Sequence, residues 1–234
     1  GVMRRMLRRI DWLSAQDSES RARFLALGLP SSAAGPVMAL KSLGKVQENA
    51  PSYAAIGPRP AVLLAASTHE EEEALILDAF AGQDRFAHLI LAPRHPRRGD
   101  EVAALLSARG MTAARRSKGE SPVPGARVFL ADTLGEMGLW FDLCPVAFIG
   151  GSLVPVGGHN AYEAVAHGAA VLTGPEVANF AALYDTLLQA KGAVMVRDGE
   201  FLESRTGTVP TVERALVQRR RRPMLMVDLA VPRD

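Results

Sequence analysis

The sequence predicts an α/β fold, a parallel sheet covered by helices on both faces, and two observations carry that prediction. From residue 61 onward, short apolar runs alternate with longer helix-forming stretches. The runs are apolar throughout rather than at every second position, which is the pattern of strands buried on both faces. The second observation is where glycine, proline and charged residues gather: immediately after the runs, at the carboxyl ends of the strands, where such sheets bind their ligands.

With 234 residues the chain can form one large domain or one domain with appendages. Its apolar content of 48% and charged content of 22% are those of an ordinary globular protein. Net charge is only +2, but arginines cluster at Arg4, Arg5, Arg8 and Arg9 and again at Arg219, Arg220, Arg221 and Arg222. Cys144 is the single cysteine, which excludes an internal disulfide and a thiolate metal cluster and suits a reducing compartment. No apolar run reaches the length of a bilayer span, and nothing reads as a cleavable signal peptide. The chain opens on Gly1-Val2 and reads as a piece of a longer protein.

In order, residues 2–13 place Met3, Met6, Leu7 and Ile10 at helical spacing with arginines between them. Such a basic amphipathic helix either packs its apolar side into a domain or lies on an anionic membrane face. A second helix follows, capped by Asp17 or Ser18, closed by Gly28 and Pro30, with Phe24, Leu25 and Leu27 on its buried side. Residues 43–60 carry Gly44, Pro51, Gly57, Pro58 and Pro60 without periodicity and read as a linker. Strands are then expected at 61–67, 88–94, 111–115 (weak), 127–132, 146–151, 169–175 and 193–198. Helices are expected around 70–81, 100–109, 136–142, 161–167 and 177–191.

The residues after each strand carry the chemistry. Ser67, His69 and Glu70 sit at the first strand-to-helix elbow, and the glutamates that continue through Glu71, Glu72 and Glu73 read as a solvated first helical turn. After the second strand, prolines at 93 and 96 flank Arg94 and His95, a rigid setting in which a guanidinium either grips a phosphate or pairs with a surface neighbour. After the fourth, Asp132, Thr133, Gly135 and Glu136 either cap a helix or hold a nucleotide base or ribose.

The stretch 148–175 is the richest. An apolar strand end breaks into Gly150-Gly151-Ser152, then Gly157-Gly158-His159-Asn160, a helix carrying Glu163, and a second strand that ends in Gly174-Pro175. A glycine-rich turn into a helix gathers backbone N–H groups and the positive end of the helix dipole, where anions bind. Asn160 can cap that helix, and Glu163, one turn in, can accept from a sugar diol. A tight turn before a capped helix accounts for the same residues.

These residues also resemble the bacterial 3-deoxy-D-manno-octulosonic acid (Kdo) transferases. The family's GGS followed by GGHNxxEP and a closing GP is matched at Gly150, Gly151, Ser152, Gly157, Gly158, His159, Asn160, Glu163, Gly174 and Pro175, with Ala164 in place of the proline. Ser67 to Glu73 resembles STHEGEE with Glu71 in place of glycine, Pro93 to Pro96 resembles PRHPER, and Asp132 to Met137 resembles DTxGEL/M. Residues 14–28 resemble the run that closes the family's amino-terminal domain, and 36–42 its GNLKF-like strand, with Ala39 and Leu40 where Gly-Asn is commoner.

The resemblance implies a GT-B glycosyltransferase that moves Kdo from CMP-Kdo to a lipid A precursor in lipopolysaccharide assembly, at the cytoplasmic face of the bacterial inner membrane. It implies a Rossmann-like donor-binding domain over 61–203, with 1–42 the end of the amino-terminal acceptor domain. Ser67, His69, Glu70, Arg94, His95, Gly135, Glu136, Gly151, Ser152, Gly158, His159, Asn160 and Glu163 would bind CMP-Kdo, and Arg94 would stabilise the leaving phosphate. No cofactor and no metal site are expected, and membrane association and the general base would belong to the amino-terminal region outside these residues.

Residues 204–234 depart from that family. Their run TVERALVQRRRRPMLMVDLAVPRD resembles part of glutamyl-tRNA reductase, most closely at Val212 to Leu216 and Asp228 to Asp234, and fits a fused reading frame. By pattern alone it is a short helix ending in four arginines, then a buried strand at 224–231. No basic face or aromatic platform accompanies the arginines, so nucleic acid is not an expected partner. Three other readings stand beside the transferase: a GT-B enzyme using a UDP-sugar, a non-catalytic nucleotide-binding fragment, and a piece of a tetrapyrrole-pathway reductase.

Overall fold

Seven parallel strands form one sheet in the order β3-β4-β2-β1-β5-β6-β7. In chain order the elements are α1 (Val2–Leu7), α2 (Ser18–Ala26), β1 (Val62–Thr68), α3 (Glu72–Ala81) and β2 (His88–Pro93). Then come α4 (Gly99–Ala108), β3 (Ala113–Arg115), β4 (Val128–Leu130), α5 (Met137–Leu143) and β5 (Val146–Ile149). The last are α6 (Tyr162–Ala166), β6 (Ala170–Thr173), α7 (Ala181–Gln189) and β7 (Ala193–Met195). The structure, a computed structural model, describes residues 2–15, 18–37, 61–122 and 126–197. These fall into two units, one within residues 1–45 and the other within 46–223.

The sheet is covered on both faces, for the reason the apolar runs gave. Alternate strand residues, among them Leu63, Ala65, Leu89, Leu91, Phe148 and Leu172, pack with Ile76, Leu77 and Phe80 of α3 and Val102 and Leu106 of α4. The residues between them point the opposite way. There Phe129 meets Trp140 of α5 at 5.5 Å between ring centroids, and the Tyr184 hydroxyl of α7 reaches Thr173. Trp140 and Tyr184 are fully buried, so each face closes over an aromatic or aliphatic layer.

Strand order places the ligand edge. After β1 the chain lays β2 beside it, then β3 at the far edge and β4 between them, before crossing back to lay β5, β6 and β7 on the other side. The reversal lies between β1 and β5, and the crevice beyond their carboxyl ends is the binding position of doubly wound sheets. Ala66 pairs with Ile149 as the last rung there, and a bulge at Ser67 shifts the register with β2 before Thr68 meets Pro93.

Several expected boundaries move. The weak strand at 111–115 is the three-residue edge strand β3, and the helix at 177–191 begins with a 3-10 turn over Ala178–Phe180 before α7. In the amino-terminal unit Leu7, Leu29 and Ala33 form the core, joined by Ile10, Leu13 and Phe24. The first helix ends at Leu7, and its Met3 and Met6 are exposed rather than packed. Nor does α2 bury a residue fully; Leu27, expected on its inner side, is 49% exposed, because Leu29 after the helix takes the core position. Asp17, most of the strand at 36–42, the linker at 43–60 and the tail at 204–234 lie outside the described residues. Among the described residues no helix is long and apolar enough to cross a membrane.

Candidate functional site

The site is built from four loops at the carboxyl edge of the sheet, and β1 supplies the first. Its last turn is strained: Ser67 has φ +56°, and Glu71, at the N-cap of α3, has φ +73° with ψ −36°. Between them His69 leaves the strand and Glu70 is exposed. Positive φ is costly for residues with a Cβ, and here it lets the chain turn from strand to helix within a few residues.

The glutamates after this elbow correct the sequence reading. A solvated first turn was expected, but Glu72 and Glu73 are buried, at 0% and 1% exposure. Glu72 accepts four backbone N–H groups: His69 at 3.0 Å, Gly151 at 2.7 Å, and Ser152 and Leu153 at 2.9 Å each. Glu73 accepts from the Thr68 hydroxyl at 3.0 Å and takes both guanidinium branches of Arg98, at 2.8 and 3.1 Å. Burial pushes the Glu73 carboxyl above its ordinary range, and the Arg98 fork offsets only part of that rise. A helical signal for both was present: Ile76 and Leu77, four residues on, lie on the buried face of the same helix.

Three imidazoles meet above the crevice. His69 and His159, 90 residues apart, approach to 2.7 Å between their Nε2 atoms with rings 15° from parallel. One of these nitrogens carries the proton and the other accepts it, so the pair holds at most one imidazolium while the bond stands. His95 stands edge-on to His69, with ring centroids 5.9 Å apart. Burial lowers the His69 pKa; Glu72 opposes this, and His95, Arg94 and Arg98 add to the lowering. Among the described residues no set of three or more His, Cys, Asp or Glu side chains is arranged to hold a metal ion.

Arg94 and Arg98 sit on one loop but differ in kind. The Arg94 backbone N–H donates to the Thr68 carbonyl at 2.9 Å, which fixes the loop to β1. Its guanidinium is exposed and bonds to no side chain among the described residues, whereas that of Arg98 is fully engaged with Glu73 and Glu101. Arg98, like the two buried glutamates, was not singled out by the sequence.

The glycine pairs after β5 are largely occupied within the protein. The N–H of Gly150 donates to Ala66 at 2.8 Å, that of Gly151 to Glu72, and that of Gly158 to the Gly151 carbonyl at 2.6 Å. A Cβ at Gly150 would sit 2.4 Å from the Ser67 carbonyl oxygen, which explains glycine there. Gly158 has φ +77°, the left-handed backbone that glycine adopts without strain. Ser152 is fully buried; its hydroxyl donates to Ile149 at 2.6 Å and accepts from Gly174 N–H at 2.8 Å. Its side chain thus faces the scaffold rather than the crevice.

Asn160 accepts from the Tyr162 N–H at 2.9 Å, a side-chain turn one residue ahead of the N-cap Ala161. The Tyr184 hydroxyl donates to the His159 carbonyl at 2.8 Å, and burial pushes the Tyr184 phenol up. Glu163 is exposed, and its carboxylate makes no hydrogen bond among the described residues. Beside it, His167 pairs with Asp142 at 2.8 Å and ties α6 to α5.

After β4, Gly135 is exposed with φ +83°. The Glu136 carboxylate accepts from the Arg116 guanidinium at 2.6 Å and from the Thr133 hydroxyl, and Arg116 holds its pKa low. Asp132 does not cap α5. It is 3% exposed and takes Arg115, at 2.8 Å, and the Ser117 N–H and hydroxyl, at 2.9 and 2.7 Å. Burial works against the charge on Asp132, but those bonds outweigh it and lower its pKa.

The fold thus brings the loops after β1, β2 and β5 around the paired imidazoles, with Arg94 exposed on the second of them. No protein-family model matches the chain. The 3-deoxy-D-manno-octulosonic acid transferase of Bordetella pertussis is 37% identical over 190 residues, 76% of this chain and 44% of that protein. The enzyme of the same name from Haemophilus influenzae is 33% identical over 202 residues, 82% of this chain and 47% of that protein. The chain therefore spans about half the length of the curated relatives it matches. Among solved structures, the C-terminal CMP-Kdo binding domain of WaaA from Acinetobacter baumannii is similar at a TM-score of 0.61 and 32% identity. That alignment covers 69% of this chain and 88% of that domain. On these identities and the coverage of that domain, the chain belongs to the family of 3-deoxy-D-manno-octulosonic acid transferases, and it carries the family's carboxyl-terminal domain.

Proposed function

We propose that the chain binds CMP-Kdo at the carboxyl edge of β1, β2 and β5 and serves as the donor half of a Kdo transferase. One observation carries this reading: a domain that binds CMP-Kdo in a relative is matched over 88% of its length, and its counterpart here presents Arg94, exposed and without a side-chain partner among the described residues, at the switch point. Arg94 meets the donor phosphate and stabilises the charge that develops as CMP departs. Glu163, exposed beside the His159–Asn160 turn, accepts from the ribose hydroxyls. Gly135 leaves the approach to Glu136 open for the base, while Ser67, Glu70, His95 and Asn160 line the approach to the phosphate and sugar. Gly151, Ser152 and Gly158, whose N–H or hydroxyl groups are bonded within the protein, shape this surface rather than contact the phosphate.

In this reading the acceptor is a lipid A precursor, met by the half of the relatives that lies outside the match, at the cytoplasmic face of the inner membrane. Val2, Met3 and Met6 are exposed beside Arg4, Arg5, Arg8 and Arg9, a surface that suits anionic lipid. Titration of the folded chain with CMP, followed by thermal melting, tests the donor reading. At about a hundred times its dissociation constant, a ligand stabilises the fold by about 2.7 kcal/mol. CMP should raise the melting temperature and UDP should not. A folded chain that CMP leaves unshifted overturns the reading, and an equal or larger shift with UDP replaces it with a UDP-sugar enzyme.

A further inference from the structure

We propose that Glu72 is the internal anion of the glycine-rich loop after β5, a positioning residue on which nucleotide binding at this edge depends. The inference rests on reading the edge as the nucleotide site. In other glycine-rich turns the converging N–H groups receive a ligand's phosphate. Here Gly151, Ser152 and Leu153 converge on a carboxylate of the protein itself, fully buried, each of whose oxygens takes two N–H groups. The loop is therefore already charge-matched before any ligand arrives, and a ligand phosphate is left to the cationic side chains around it.

What this carboxylate holds is the working surface. Its Oε2 takes both the His69 and the Gly151 N–H, so one atom joins the end of β1 to the end of β5. The Gly151 carbonyl then accepts from Gly158, and the Ser152 carbonyl and hydroxyl accept from Glu176 and Gly174. The backbones that carry His69, His159 and the Gly174–Pro175 turn are thus linked to Glu72 through one or two hydrogen bonds. Glu70, the more evident carboxylate by sequence, is exposed and makes no hydrogen bond among the described residues. Four N–H groups left facing one another without the anion would repel and open the loop, which separates the two imidazoles.

The test uses the whole chain with CMP as the probe. Glu72→Gln keeps the volume but turns an NH2 group toward two of the four N–H groups. CMP affinity should fall about tenfold or more, with the cooperative melt retained. Glu72→Ala empties the loop, and formate should restore CMP affinity in a saturable manner that chloride at equal ionic strength does not reproduce. Either variant binding CMP within about twofold of the parent overturns the proposal, and so does a loss in Glu72→Ala that formate leaves unrepaired. A parent that fails to bind CMP overturns the nucleotide reading instead. Amide exchange separates the two and needs no nucleotide. The N–H groups of Gly151, Ser152 and Leu153 should exchange slowly in the parent, fast in Glu72→Ala, and slowly again in formate. Fast exchange in the parent overturns the internal anion even if neither variant folds.

Discussion

Arg94 and Arg98 lie on one loop, yet substitution should separate them completely. Arg98 is forked on Glu73, whose side chain is 1% exposed, so Arg98→Ala leaves a buried carboxylate with only the Thr68 hydroxyl. Breaking a buried pair from one side costs about 3–5 kcal/mol, read by urea denaturation. Arg94→Ala, at an exposed and unpaired side chain, should leave stability within about 0.5 kcal/mol of the parent. Its effect should fall on CMP binding, where losing a charge-assisted contact costs about 1.5–3 kcal/mol. Unchanged CMP affinity in Arg94→Ala would remove it from the site. Glu71 offers the opposite sign. Its φ of +73° at ψ −36° is a conformation glycine adopts freely, so Glu71→Gly should raise stability by about 1–2 kcal/mol in the same measurement.

The acid dependence of stability also belongs to single residues. His69 titrates below its ordinary value of 6.5 in the folded chain, chiefly through burial. Just below pH 6.5 the unfolded chain therefore takes up a proton that the folded chain resists, and stability falls as pH drops. The fall ends once the folded-state pKa is passed. His69→Gln should flatten that arm of a plot of melting temperature against pH; an unaltered slope would assign it to other groups.

At the scale of elements, most strands were legible because β1, β2, β4, β5 and β6 are short runs apolar on both faces, whereas the edge strand β3 carries Arg115 and gave only a weak signal. Lengths were less legible. β3 is three residues at the sheet edge, where pairing on one side lets the strand end early. α6 starts only at Tyr162, because the Asn160 side chain makes its own turn before it. The turn that leads into this short helix is braced by α7 through the Tyr184 hydroxyl on the His159 carbonyl. Tyr184→Phe removes that bond from a buried setting and should cost about 1 kcal/mol. It should also weaken CMP binding, since His159 is held by it; melting and CMP titration of the one variant read both.

For the whole molecule, the match to about half of each relative sets the expected behaviour. These 234 residues should bind CMP yet fail to transfer Kdo by themselves. The proposed reading puts the general base outside these residues; loss of such a base costs about 10²–10⁴ in rate, and an unpositioned acceptor adds a further large factor. The assay supplies CMP-Kdo and a lipid A precursor to the chain alone and then with the amino-terminal half of a relative in trans. Turnover by the chain alone at a full-length rate would place the base within these residues.

What the sequence determined by itself was the kind of sheet and the family, and it pointed to the edge that bears the candidate site, because apolar runs and strand-end motifs are local in the chain. Arg94 and Glu163 could be named from their neighbours alone, and both stand exposed at that edge. The tertiary structure decided which charges face inward. Four glutamates in a row look alike along the chain, but the order β2-β1-β5 brings Arg98 to Glu73 and the Gly151–Leu153 N–H groups to Glu72. Only partners brought from 25 to 81 residues away make burial of those two carboxylates affordable, since an unpaired charge would not leave water. The imidazole pair has the same origin: His69 and His159 meet because β1 and β5 are neighbours, a consequence of strand order that no local pattern encodes.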